Sequence, residues 1–184
     1  MLKKIIESGS TVFSAEDLAK ILQIENRKYL ALVIYRMAKR NEIRRIKKGL
    51  YVFQDRYDPL ELANKLKRPS YVSFEYVLFK KGIIFQDFSN IITSASNNTL
   101  SFSLNGKTFK YFKLKDEILT NPIGIERENN AIVAVPERAI CDTIYLRGNI
   151  YFDNLNSINE ELFLKIAKNY NKRVLNYAKK LCLK

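Results

Sequence analysis

The spacing of apolar positions changes character several times along the chain. Leu2, Ile5 and Ile6 recur at i, i+3, i+4 and predict a short helix ending near Gly9. Thr11-Val12-Phe13 is β-prone and too short for more than a small strand. Ser14-Ala15-Glu16-Asp17 has the form of a capping box: a serine oxygen accepts from the third helical N–H, and an acid three residues on reaches back. Leu18, Ile21 and Leu22 supply the buried face of that second helix. Asn26 is an N-cap for a third, about Arg27 to Arg40, in which Leu30, Val33, Ile34 and Met37 form one stripe at about 100° per residue. From Ile43 to Phe53, β-prone residues flank a turn at Gly49, which predicts a two-stranded hairpin.

Beyond position 56 the pattern is mixed. Asp58-Pro59-Leu60-Glu61 opens a helix, with Asp as N-cap, Pro at the first helical position and Glu in the first turn. Ser70 to Lys81 mixes strand and helix formers and is assigned to a helix from about Ser73, with Gly82 after its C-terminus. Ile91-Ile92-Thr93 begins a β-rich region. Leu100–Leu104 and Thr108–Phe112 alternate around Asn105-Gly106, a strong hairpin signal. Ala131–Val135 is a buried-strand candidate. Pro136-Glu137 opens a helix through Ala139, Ile140, Ile144 and Leu146, and two more helices are expected at about 158–168 and 172–182. The expected fold is therefore α+β: an N-terminal winged helix-turn-helix over 1–56, then a mixed α/β domain over 57–184. No internal repeat appears.

Charge sharpens the picture. The 184 residues carry a net +13, and 47% hydrophobic content argues against disorder. Compositional bias alone could make such a sequence basic, but the charge is unevenly placed. Residues 1–56 hold 13 basic and 6 acidic side chains. The stretch Arg27 to Lys48 holds nine basic residues against Glu42 alone. Such concentration points to an anionic partner such as nucleic acid. A second basic stretch, Lys165 to Lys184, has seven Lys/Arg and no acid. It is open to three readings: a solvated helix face, a second nucleic-acid patch, or a dock for an acidic partner.

The third helix and the hairpin carry the candidate chemistry. Opposite the apolar stripe lie Lys28, Leu32, Tyr35, Arg36 and Lys39. A helix with one packed stripe and a basic outer face fits a major groove about 12 Å wide. Arg27 and Lys28, at its start, stand where a recognition helix makes base contacts. Leu32 and Tyr35 are apolar bodies on a charged face and call for a partner: DNA methyl groups, another domain or a second subunit. Arg44, Arg45, Lys47 and Lys48 on the hairpin are placed for phosphate or minor-groove contact. The expected DNA-binding set is thus Arg27, Lys28, Tyr35, Arg36, Lys39, Arg44, Arg45, Lys47 and Lys48.

Several function classes drop out. The chain contains no histidine, which removes Ser-His-Asp and Cys-His catalysis and His-ligated zinc. Its two cysteines, Cys141 and Cys182, exclude a disulfide framework. No glycine-rich phosphate loop is present. Asp116, Glu117, Glu126, Glu128, Glu137 and Asp142 are the donor types for Mg²⁺, which keeps a nuclease delivered by a winged helix as one alternative, beside a non-enzymatic protein-interaction module. No pair among them has nuclease spacing, Glu137 suits a helix dipole, and Asp142 suits a cap or salt bridge. Cys141 reads as a buried small hydrophobe. Neither cofactor nor metal is expected. With no apolar run near 20 residues and no signal-like N-terminus, a cytoplasmic protein without a membrane span is expected.

Three segments in order carry a family resemblance: Arg45-Ile46-Lys47-Lys48-Gly49-Leu50-Tyr51, then Pro69–Leu78 followed by Gly82-Ile83-Ile84, then Val135–Leu146. On these the chain resembles the AbiEi-type antitoxins and related regulators of type IV toxin–antitoxin and abortive-infection systems. The resemblance spans nearly the whole chain and rests on order and spacing rather than on a catalytic motif. It implies a non-enzymatic transcriptional repressor of its own operon. The expected partners are double-stranded DNA at an operator of inverted repeats, bound as a homodimer, and a nucleotidyltransferase-like toxin that the protein antagonises.

Overall fold

The computed structural model describes residues 1–53, 56–148 and 150–182. The chain divides into two compact units, Met1–Leu66 and Lys67–Lys184, ten residues beyond the expected boundary at 56. Positions 54 and 55, just before that expected boundary, and Lys184, the last of the C-terminal basic stretch, lie outside the described residues.

The first unit runs α1 (Leu2–Glu7), β1 (Val12–Ser14), α2 (Ala15–Leu22), α3 (Arg27–Lys39), β2 (Arg44–Lys47), β3 (Leu50–Val52) and α4 (Pro59–Leu66). The strands form an antiparallel sheet in the order β1-β3-β2. The capping box forms as its sequence predicts. Asp17 N–H donates to Ser14 Oγ at 3.0 Å, and Ser14 N–H donates to Asp17 Oδ2 at 2.9 Å. Asn26 caps α3, accepting from Tyr29 N–H at 3.0 Å. The predicted stripe Leu30, Val33, Ile34 and Met37 is buried against Ile5, Phe13, Leu18, Leu22 and Ile43. At about 1.5–3 kcal/mol per buried aliphatic side chain, four such residues fix the rotation of α3 about its own axis. The opposite face is thereby held outward.

The boundary shift has a plain cause. The carboxylate of Glu61 in α4 accepts from both the N–H and the hydroxyl of Thr11, at 2.8 and 2.7 Å. The Thr11 hydroxyl in turn accepts from Asp58 N–H at 2.9 Å. Lys65 reaches Asp17 Oδ2 at 2.6 Å. Charge-assisted bonds of this kind are about twice as strong as neutral ones. They bind α4 to β1 and α2, so the helix assigned by its sequence to the second domain belongs to the first unit.

The second unit contains β4 (Ser70–Val72), α5 (Glu75–Lys80), β5 (Ile91–Ser96), β6 (Leu100–Leu104), β7 (Lys107–Lys113), α6 (Asp116–Leu119), β8 (Ile125–Glu128), β9 (Ala131–Ala134), α7 (Pro136–Arg147), α8 (Glu160–Ala167) and α9 (Lys172–Cys182). A mixed six-stranded sheet has the order β6-β7-β5-β4-β9-β8. The Asn105-Gly106 hairpin forms, both turn residues at positive φ (50° and 74°), with Leu104 opposite Lys107. The helix expected from about Ser73 forms as Glu75–Lys80, with Gly82 after its C-terminus. The strand before it was not expected: Ser70–Val72 is a central strand, hydrogen-bonded between β5 and β9. A three-residue strand gives too short a pattern to outweigh the helix-forming residues that follow it. The α7 helix packs on α5, α8 and α9. The architecture is α+β throughout.

Candidate nucleic-acid interface

The outward face of α3 follows from its buried one. Lys28, Leu32, Tyr35 and Lys39 succeed one another at i, i+4, i+7, i+11 and are all exposed, with Arg36 beside them. Tyr35 is 63% exposed and Leu32 42%. Arg27 is exposed in the first turn. No acid occurs in α3. Arg40, just beyond it, is partly engaged: its Nε donates to Arg36 O and lies 3.5 Å from Glu42 Oε1.

The hairpin presents the other cations. Arg44, Arg45 and Lys47 are exposed on β2, Arg45 stands opposite Tyr51, and Lys47 stands opposite Leu50. Lys48 and Gly49 make the turn, with Gly49 at φ +78°, a conformation open to glycine at little cost. All nine expected DNA-binding residues are therefore solvent-accessible. Three of them, Arg27, Tyr35 and Arg45, line one open groove of about 1120 Å³ between α2, α3 and the hairpin, whose floor includes Ala19, Leu30 and Ile34. Lys28 and Lys39 lie on the helix crest, Lys48 lies at the hairpin tip, and none of the three lines the groove. Sequence reading passed over Ala31, exposed on the same crest and sharing the groove. Its neighbours Leu32 and Tyr35 were the available signal.

Two of the second unit's candidate acids, Glu137 and Asp142, do structural work. Asp142 is fully buried and accepts hydrogen bonds from Tyr71 Oη (3.0 Å to Oδ2), Ser73 Oγ (2.7 Å) and Tyr170 Oη (2.5 Å). Arg138, one turn earlier in α7 and also buried, places its Nε 3.4 Å from Asp142 Oδ1. The same guanidinium donates to Tyr71 Oη and to the carbonyls of Ile118, Asn121 and Ile123. Burial pushes the Asp142 carboxyl above its ordinary range, against the opposing pull of Arg138 and the three hydroxyls. Burial also pushes the Cys141 thiol well up, leaving it protonated and unreactive. Glu137 is buried and accepts from Asn159 N–H at 2.8 Å. Glu126 and Glu128 are exposed on β8. Among the described residues no three His, Cys, Asp or Glu side chains come together as a metal-binding group. Among them, too, no helix is long and apolar enough to cross a membrane. In the C-terminal basic stretch, Arg173 donates to the carbonyls of Ile144 and Tyr145 and so secures α9 to α7.

No family model matches the chain, and no curated protein matches it. Among solved structures, the chain is similar to the crystal structure of the RV2827C protein from Mycobacterium tuberculosis. The TM-score is 0.54 at 10% identity, over 98% of this chain and 74% of that one. At that identity the likeness is one of fold alone.

Proposed function

We propose that this chain is a sequence-specific DNA-binding regulator whose first unit acts as a winged helix-turn-helix. The observation that carries the reading is the acid-free outer face of α3, with Lys28, Arg36 and Lys39 exposed beside a basic hairpin. An α-helix is about 10–12 Å across with its side chains, matching the major groove. Packing of the buried stripe orients α3 so that Arg27 and Lys28 meet base edges while Arg36 and Lys39 meet phosphates. Lys47 and Lys48 at the hairpin tip then contact the flanking backbone or enter the minor groove. A single unit of this size covers little DNA. Full affinity requires two copies on half-sites about 34–36 Å apart, hence an operator of inverted repeats.

The biological setting proposed on the family resemblance is that of an AbiEi-type, type IV antitoxin. The protein represses its own operon without enzymatic activity and antagonises a nucleotidyltransferase-like toxin in the cytoplasm, the second unit serving antagonism and operator affinity. The buried engagement of Glu137 and Asp142 removes two of the six acids on which a nuclease reading depended. A reporter gene driven by the DNA upstream of the coding region tests the regulatory half. Expression of the chain represses the reporter, and Lys28→Glu with Lys39→Glu relieves repression; repression that survives both reversals overturns it. Co-expression with the neighbouring gene tests the other half: growth arrest that the chain fails to relieve contradicts the antitoxin role.

A further inference from the structure

The exposed face of α3 is not simply basic. Ala31, Leu32 and Tyr35 are contiguous on it and exposed, and Lys28, Arg36 and Lys39 surround them. Leu32 makes no use of its exposure inside the first unit, whose core is completed by the opposite stripe. A partner for this face must supply two things at once: anions around the edge and small apolar groups at the centre. The major-groove edge of duplex DNA offers one apolar group, the 5-methyl of thymine, and it lies between two rows of phosphates. The spacing agrees. Leu32 and Tyr35 are separated by about 4.5 Å along the helix axis, and successive base pairs by about 3.4 Å. Ala31 beside them has no bulk to hold the backbone away from the base edges.

We infer that Leu32, with Ala31 and Tyr35, reads thymine methyl groups at adjacent base pairs of the operator, so that the site recognised is a run of thymines on one strand flanked by the phosphates that Arg36 and Lys39 engage. This rests on the DNA-binding reading above and adds to it a specificity-determining residue with no hydrogen-bonding group. The α3 face carries no Asn or Gln for adenine and no carboxylate for cytosine. Methyl contact is therefore its means of telling A·T from G·C in the central part of the half-site, with guanine contacts confined to the cationic ends.

Uracil isolates this contribution, because it keeps every hydrogen-bonding group of thymine and lacks the methyl. Full-length chain is titrated with two duplexes of its own upstream sequence, one containing thymine and one containing uracil throughout. Removing a methyl from apolar contact weakens binding about 4-fold, so two contacts per bound copy give a preference for thymine DNA of about 15-fold per half-site. Leu32→Ala and the similarly sized Leu32→Gln each cut that preference about 4-fold per half-site while leaving affinity for uracil DNA nearly unchanged. Circular dichroism verifies that both variants keep the helix. Equal affinity for the two duplexes overturns the inference and leaves DNA binding standing. A thymine preference undiminished in both variants overturns the assignment to Leu32. Failure to bind either duplex at low salt overturns the DNA-binding reading itself and turns this face over to an acidic protein partner.

Discussion

Replacing Arg138 by Met tests whether the buried cluster around Asp142 is a structural keystone. Met matches the length of the apolar stem and deletes the charge. The change strips Asp142 of its ion pair at 3.4 Å and removes the Arg138 donor from the carbonyls of Asn121 and Ile123, while Ile118 O keeps only its bond from Asn121 N–H. Removing one partner of a buried pair costs about 3–5 kcal/mol. Each orphaned acceptor costs about 1–3 kcal/mol where water cannot reach it. The terms are not additive, and a loss of about 4–6 kcal/mol is expected, about a quarter or more of the stability of an ordinary domain. The loss depends on pH with a definite sign. Burial already raises the Asp142 carboxyl, and Arg138 is the strongest influence opposing it. Without Arg138 the folded-state value rises further above the unfolded one, near 3.8. A folded state that holds the proton more tightly loses stability as pH rises between those two values, by at most about 1.4 kcal/mol per pH unit. Arg138→Met is therefore less damaging at pH 5 than at pH 8, and adding Asp142→Asn restores part of the loss at the higher pH.

Urea denaturation at the two pH values measures the effect. Tyrosine signals serve as the probe, since the chain has 11 tyrosines and no tryptophan. With two compact units, native-state hydrogen exchange at the amides of β4 and α7 assigns the loss to the second. A cost below about 1 kcal/mol, or a cost independent of pH, would refute the argument that a buried charge has been left unpaired.

Asp17 gives the opposite pH behaviour. Burial would raise its carboxyl, but the Lys65 ammonium and the Ser14 cap hydrogen bonds outweigh burial and hold it below the ordinary value of 3.8. Its stabilisation is complete above that value and disappears as pH falls through the depressed one, so Asp17→Asn costs about 1–2 kcal/mol near neutrality and little in strong acid, read from thermal melts across pH. Gly124 sits at φ +76°, where an added Cβ would lie 2.6 Å from Ile166 Cδ1. Gly124→Ala should lower stability by about 2–4 kcal/mol in the same assay, whereas an unchanged melt would place that backbone elsewhere. Arg27→Ala should reduce discrimination against point-mutated operators by about 1–3 kcal/mol if its guanidinium pairs with guanine; equal weakening on specific and random DNA would displace it from the base-reading set.

Elements with a strong local signal were legible from sequence. The bounds of α3 followed from a cap at Asn26 and an unbroken four-residue stripe, and the β6–β7 hairpin from Asn105-Gly106. What escaped had no period to read. β4 is three residues long, α6 is four, and β8 reads Ile-Glu-Arg-Glu, with three charged residues on a sheet edge. Glu61 has the appearance of a solvated first-turn acid, yet its worth lies in accepting from Thr11, 50 positions away. Arg138 and Asp142 interrupt the apolar pattern of α7, and only the arrival of Tyr71, Ser73 and Tyr170 makes their burial affordable. Leu146, expected within the apolar series of that helix, is 37% exposed. The nine candidate DNA-binding residues follow from charge and spacing, but the groove that unites Arg27, Tyr35 and Arg45 depends on how β2 folds back beside α3.

Specific DNA recognition is tested most directly by the affinity of the full chain for its own upstream DNA, set against a scrambled duplex of equal composition, from about 50 to 200 mM salt. Such recognition gives at least about 10³-fold preference for the upstream sequence, with log affinity falling against log salt by about 0.9 per phosphate neutralised. Lys47→Ala with Lys48→Ala flattens that slope by about one to two units and leaves the preference intact. Equal binding to both duplexes, or an affinity indifferent to salt, would contradict such recognition.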